Sequence, residues 1–163
     1  MTADVDGIFA AARERLAGAP REGLGELVEP RRILGLARAP RIVPRGTAWH
    51  LGALLLTDDA VLATGEIVRA RAEAIRGYAA ESQRRRAELA AAARRGGFPE
   101  GEPVHIGWRM LDTTAVDKGE ASPPLAFVDG VVSIRWSVAG GYMPLQRYLD
   151  ERVALLIDPP AGA

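Results

Sequence analysis

Two stretches in which apolar and polar residues alternate constrain the fold of this 163-residue chain most strongly. In residues 104–110 and 131–138 every second residue is apolar, which is the period of a β-strand buried on one face. Asp129-Gly130 precedes the second stretch and favours a type I′ β-hairpin turn. We therefore expect both stretches to be strands of one sheet that is apolar on one face and polar on the other.

The remaining elements follow from spacing and from turn residues. Apolar residues at helical spacing and strong helix formers predict helices over residues 6–17, over residues 79–95 and from Pro144 onward. Residues 47–57 and 60–71 predict a long hairpin across an Asp-Asp turn.

The predicted fold class is therefore α+β: a single antiparallel sheet of about five strands with three helices packed mainly on one face. The length fits one domain over residues 1–163. Within that domain, residues 18–46 read as a Pro- and Arg-rich connecting arm.

Charge is balanced over the whole chain but uneven along it. The 21 basic residues, of which only Lys118 is a lysine, match 21 acidic ones. Residues 31–45 carry five arginines and no acid, whereas residues 100–129 carry a net charge of −4. A zero net charge argues against recruitment of nucleic acid by the protein as a whole. The alternating blocks of opposite sign suggest folding-back or self-association contacts as readily as a nucleic-acid surface. We expect a homo-oligomer, with a dimer favoured.

Several classes of chemistry are excluded or unsupported. The chain has no cysteine, so disulfides, thiolate zinc sites and cysteine nucleophiles are impossible. Phosphate-loop, dinucleotide-binding and nucleophile-elbow motifs are absent. The two histidines lie on different predicted strands without metal-ligand spacing. No apolar run approaches about 18 residues, and the acidic N-terminus does not resemble a signal peptide. We therefore expect a cytoplasmic protein without membrane, metal or cofactor.

One group of polar residues is a candidate ligand site. Alternation places His105, Arg109, Ser133 and Arg135 on the polar face of the predicted sheet, where guanidinium groups could bind a carboxylate or a phosphate. His50, beside Trp49, is a further candidate as a base or a ligand. The alternative to a ligand site is that these residues form a solvated sheet face or a dimer interface. The sequence assigns no catalytic residue.

Residues 40–157 resemble a family of small uncharacterised proteins from high-GC bacteria. The resemblance is carried by Trp49-His50-Leu51-Gly52, by residues 63–66 and 94–98, and by Pro144-Leu145-Gln146-Arg147-Tyr148-Leu149. Some members carry the label glutaminase. Serine-dependent glutaminases need Ser-x-x-Lys, and Ala115 stands three residues before Lys118. The cysteine-dependent type is excluded by composition, so the resemblance implies no catalytic residue here.

Two functions remain as hypotheses. The first is a self-associating or partner-docking module without catalytic activity, in which the arginine-rich arm contacts a second subunit. The second is a binder of, or an enzyme acting on, a small anionic or amide-containing substrate at the Arg/His-lined site. Nucleic-acid binding through the basic helix is the weakest reading, because aromatic residues are not interleaved with its arginines.

Overall fold

The computed structural model describes residues 4–30, 34–36, 38–72 and 80–163. Contacts divide the chain into two units. Unit 1 comprises Met1–Arg21, Ala48–Thr64 and Arg109–Ala163, and unit 2 comprises Glu22–Thr47 and Gly65–Trp108.

The chain is α+β, with helices and strands interleaved along the sequence. The helices are α1 (Val5–Leu16), α2 (Glu81–Arg95), α3 (Thr113–Asp117) and α4 (Leu145–Ile157). The first five strands are β1 (Glu22–Val28), β2 (Arg41–Leu51), β3 (Leu54–Leu56), β4 (Val61–Ala63) and β5 (Glu66–Arg69). The last five are β6 (Pro103–Ile106), β7 (Arg109–Met110), β8 (Leu125–Val128), β9 (Val131–Arg135) and β10 (Tyr142–Pro144).

The predicted single sheet of about five antiparallel strands with three helices is wrong. The described strands form a seven-stranded sheet in the order β5-β6-β1-β2-β3-β4-β7 and a separate three-stranded sheet in the order β10-β9-β8. The larger sheet is mixed, because β1 pairs with β6 in parallel while β5 pairs with β6 antiparallel. The smaller sheet is antiparallel.

The alternating residues 104–110 do not form one strand. Gly107 takes a φ of +67° between β6 and β7, which ends the first strand and starts the second. Strand β6 pairs with β1 and β5, whereas β7 pairs with β4. Because β9 lies in the smaller sheet, the expected shared layer of residues 104–110 and 131–138 does not exist.

Strand β1 lies within residues 18–46, where the sequence predicts a connection. Its glycines disfavour a strand by propensity but serve packing here. A Cβ added to Gly25 would lie 2.4 Å from a methyl carbon of Ile42 and 2.8 Å from one of Val104. The neighbouring side chains leave no room for a Cβ atom, so glycine is required here. Glycine also removes the apolar–polar alternation by which a strand is recognised in a sequence.

Unit 1 has its own hydrophobic core. Helices α1 and α4 each pack one face against it. Tyr148 of α4 is buried, and its hydroxyl donates a hydrogen bond to the Leu51 carbonyl at 2.8 Å and accepts one from the Ala53 amide at 2.7 Å. These bonds hold the turn between β2 and β3. The core includes Val5, Phe9, Leu16, Trp49, Leu54, Leu56, Leu125, Ile134, Leu145, Leu149 and Val153.

Unit 2 has a second core in which α2 contributes mainly alanines. Ala92 and Ala93 are fully buried, and Leu89 is the large aliphatic of the helix. Each buried alanine contributes less than the roughly 1.5–3 kcal/mol of a buried leucine, but it allows close approach between helix and sheet. The core also contains Ile42, Val68, Ala70, Phe98, Val104 and Ile106.

Several local predictions are confirmed. Helix α1 covers Val5–Leu16, and the side chain of Asp4 accepts a hydrogen bond from the Gly7 amide at its start. Asp129 and Gly130 take φ values of +50° and +78°, which a type I′ turn requires. Helix α4 begins at Leu145, so that Pro144 is its N-cap and not its first residue as predicted. No helix in the described part of the chain is both long and apolar enough to cross a bilayer.

Candidate binding surfaces

Three residues of the predicted polar face lie in unit 1 but on two sheets. Arg109 is on β7, and its guanidinium donates a hydrogen bond to the Pro123 carbonyl at 2.6 Å. Arg135 is on β9 and donates to the Val138 carbonyl at 2.8 Å. Ser133 is buried and donates to the Val131 carbonyl at 3.1 Å. Each side chain therefore donates to a backbone carbonyl oxygen, and the two arginines lie on different sheets.

His105 belongs to unit 2 and is fully buried, rather than exposed as the alternation predicts. Strand β6 is paired on both sides, and three of its residues in succession are buried. The Nε2 atom of His105 lies 2.5 Å from Oε2 of Glu22. Sequence reasoning missed Glu22, because the parallel pairing that sets Leu24 opposite His105 could not be read from spacing.

His50 lies on β2 in unit 1 and is half-buried, with its Nε2 atom 3.0 Å from the Gly52 carbonyl oxygen. Its neighbour Trp49 is a buried core residue whose Nε1 donates to the Ala19 carbonyl at 3.2 Å. The guanidinium of Arg21 lies 3.8 Å from the centre of the indole ring. Trp49 thus has a structural role.

A cationic cleft, defined by Pro30, Arg38, Ala39, Arg41 and Arg95, lies in unit 2 and has a volume of about 420 Å³. All three charged residues of its lining are arginines. The sequence shows the arginines of residues 31–45 and the Arg94-Arg95 end of α2 separately. Only the fold brings them together, so spacing along the chain gave no sign of the cleft.

Unit 2 also exposes an apolar arm, which we define as Leu27, Val28, Leu34 and Leu36. Leu34 is 95% exposed and Leu36 is 73% exposed. Leu34 has a φ of +56° and Gly35 a φ of +75°, so a leucine occupies a left-handed turn position that favours glycine or asparagine. These side chains lie within the predicted arm, although the strand β1 that carries two of them was not foreseen.

A second groove lies in unit 1 and is lined by both aromatic and charged side chains. Trp136 is 51% exposed beside the half-buried Met143. Arg147 and Glu151 form an ion pair at 3.1 Å, and Arg152 lies over the Tyr148 ring. Because this lining carries an acid and its Tyr148 hydroxyl is engaged in the core, it is less suited to anions than the cationic cleft.

No protein-family model, curated protein or solved structure matches this chain.

Proposed function

We propose that this protein is a docking module that associates with a second copy of itself through the apolar arm. The observation that carries the proposal is Leu34. A non-glycine residue in the left-handed region costs about 1–2 kcal/mol, and burial of its side chain could offset that cost. With 95% of its surface exposed, Leu34 gains no such burial from the described residues of its own chain.

Contact with another molecule would supply the missing burial. Full burial of one leucine side chain stabilises by roughly 1.5–3 kcal/mol, and a two-fold interface counts each residue twice. Burial of Leu34 and Leu36 on both copies would therefore contribute to the stability of a dimer. The partly exposed Leu27 and Val28 would extend the same surface.

Charge complementarity favours a second copy over an unrelated partner. Leu34 and Leu36 of the apolar arm lie in a segment, residues 31–45, with five arginines and no acid. The same chain carries an acidic block over residues 100–129, and its total charge is zero. A chain that contains both signs in separate blocks can satisfy its own basic segment by self-association.

The proposal describes binding and assigns no reaction. Among the predicted site residues, Arg109, Ser133 and Arg135 each donate to backbone carbonyl oxygens, which is a structural use. We place the module in the cytoplasm, on the absence of cysteine from the sequence.

Sedimentation velocity of the full chain, from micromolar to submillimolar concentration, tests the proposal. We expect a dimer for the wild type and a monomer for the double variant Leu34→Asn with Leu36→Thr. Asn tolerates the left-handed conformation, so the double variant should fold as well as the wild type in urea unfolding.

The matched control is Leu155→Gln, which removes a half-exposed leucine from α4 in unit 1 and should leave the dimer intact. A wild-type chain that stays monomeric at every concentration would overturn the proposal. Continued dimerisation of the folded double variant would do the same.

A further inference from the structure

The cationic cleft of unit 2 has the composition of an anion site. Arg38, Arg41 and Arg95 line it together with Pro30 and Ala39, and no acidic residue is part of the lining. Three arginines that line one concave space raise the positive potential there, which attracts an anion. The lining therefore favours a negatively charged ligand.

Two of the three guanidinium groups are held in place by backbone. Arg41 donates from Nε and Nη2 to the Arg95 carbonyl oxygen, at 3.2 Å and 2.7 Å. Arg95 donates from Nε to the Pro40 carbonyl oxygen at 2.9 Å. Each side chain is thus fixed along one edge, so that binding an anion costs little additional side-chain entropy.

The other N–H groups of these side chains remain for a ligand. A guanidinium has five N–H donors, and the bonds to backbone use only part of them. Within the described residues, Arg38, Arg41 and Arg95 form no ion pair with a carboxylate, although six other arginines do. Capping the C-terminus of α2 accounts for the fixed edge of Arg41 but not for Arg38.

We propose that this cleft binds the phosphoryl group of a small organic phosphate. A phosphate monoester carries two charges on three terminal oxygens, which matches several forked donors better than a single carboxylate does. The volume of about 420 Å³ falls in the range of ligand pockets, so an organic group fits beside the phosphate. Pro30 and Ala39 supply apolar surface for that group.

The lining of this site shares no residue with the apolar arm, although Arg38 and Arg41 belong to the basic segment of residues 31–45. The variant with Leu34→Asn and Leu36→Thr should therefore bind organic phosphate as the wild type does. Loss of dimerisation and loss of phosphate binding are separate outcomes with separate variants.

The site can be tested by titrating the full chain with phenyl phosphate at low salt. Binding is measured by calorimetry and by NMR of the arginine Nε–H groups. We expect saturable binding that shifts the Nε–H resonances of Arg41 and Arg95, with inorganic phosphate binding more weakly. Arg38→Gln should weaken the affinity about tenfold, since it removes one charged hydrogen-bonding group.

Arg86→Gln is the matched control, because it removes the same charge from an exposed position of α2 outside the cleft. It should bind phenyl phosphate with wild-type affinity. Failure of phenyl phosphate to bind at millimolar concentration would overturn the proposal, as would equal affinities of Arg38→Gln and the wild type. Binding of a single-stranded oligonucleotide without binding of the monoester would instead point to nucleic acid and also overturn it.

Discussion

The Arg21 side chain makes two different contacts at the surface of unit 1. Its guanidinium lies 3.8 Å from the centre of the Trp49 ring, and its Nη2 atom donates to Oδ1 of Asp58 at 2.6 Å. The planar group thus covers an aromatic face and pairs with a carboxylate at once, a combination that lysine cannot reproduce. The hydrogen bond from Arg21 lowers the pKa of Asp58.

This lowered pKa predicts how stability depends on pH. A carboxyl group whose pKa is lower in the folded state stabilises the fold above its ordinary pKa of 3.8, and that contribution disappears as the pH falls through the folded value. We expect Asp58→Asn to be less stable than the wild type at neutral pH and to approach it as the pH falls well below 3.8. Urea unfolding across this pH range measures the difference.

Asp129→Asn is the control for this comparison, because it removes the same charge from the exposed turn between β8 and β9 of unit 1. Its difference from the wild type should not follow the course seen for Asp58→Asn. Parallel pH profiles for Asp58→Asn and the wild type would show that the pair with Arg21 contributes nothing to folding stability, as many exposed ion pairs do.

At the scale of elements, the sequence predicts those whose signals are local. Helix α1 has an Asp cap and an apolar stripe, and the β8–β9 hairpin has its Asp-Gly turn, so both are confirmed. Strand β1 was not predicted because Gly23 and Gly25 have a low propensity for β-strands. The alternation over residues 104–110 predicted one strand. Gly107 instead divides this segment into two strands that pair with different partners.

Helix α2 and strand β2 depend on one glycine for their close approach in unit 2. Gly96 has an ordinary φ of −75°, but a Cβ built on it would lie 1.6 Å from the Ile42 carbonyl oxygen. We expect Gly96→Ala to push the end of α2 away from β2 and to lower the free energy of unfolding by about 3 kcal/mol. Urea unfolding measures this loss.

Gly18→Ala provides the comparison, since a Cβ there meets no atom within 4 Å. Its stability should stay within about 0.5 kcal/mol of the wild type, as is usual for surface changes. Equal stability of Gly96→Ala and the wild type would mean that the helix end is not packed on β2. The cationic cleft would then also be in doubt, because Arg95 immediately precedes Gly96.

At the scale of the whole molecule, the excess of arginine in the sequence is compatible with anion recognition but does not say which residues would take part. An excess of arginine favours forked recognition of anions wherever three side chains converge. Alternation nominated Arg109 and Arg135, yet these lie on different sheets, whereas Arg38, Arg41 and Arg95 converge through loops and a helix end. Convergence of this kind depends on tertiary packing, which a single sequence does not display.

The distribution of charge over the whole chain makes a last prediction about the proposed dimer. If blocks of opposite sign on two copies attract, salt should weaken the association, because the Debye length falls from about 10 Å at 0.1 M to about 3 Å at 1 M. The apolar contacts of Leu34 and Leu36 respond differently, since sulfate strengthens apolar burial. We therefore expect sedimentation equilibrium to show a weaker dimer in concentrated sodium chloride than in sodium sulfate at equal ionic strength. A dimer that tightens steadily in both salts would assign the association to apolar contact alone and remove the charge argument for a second copy as the partner.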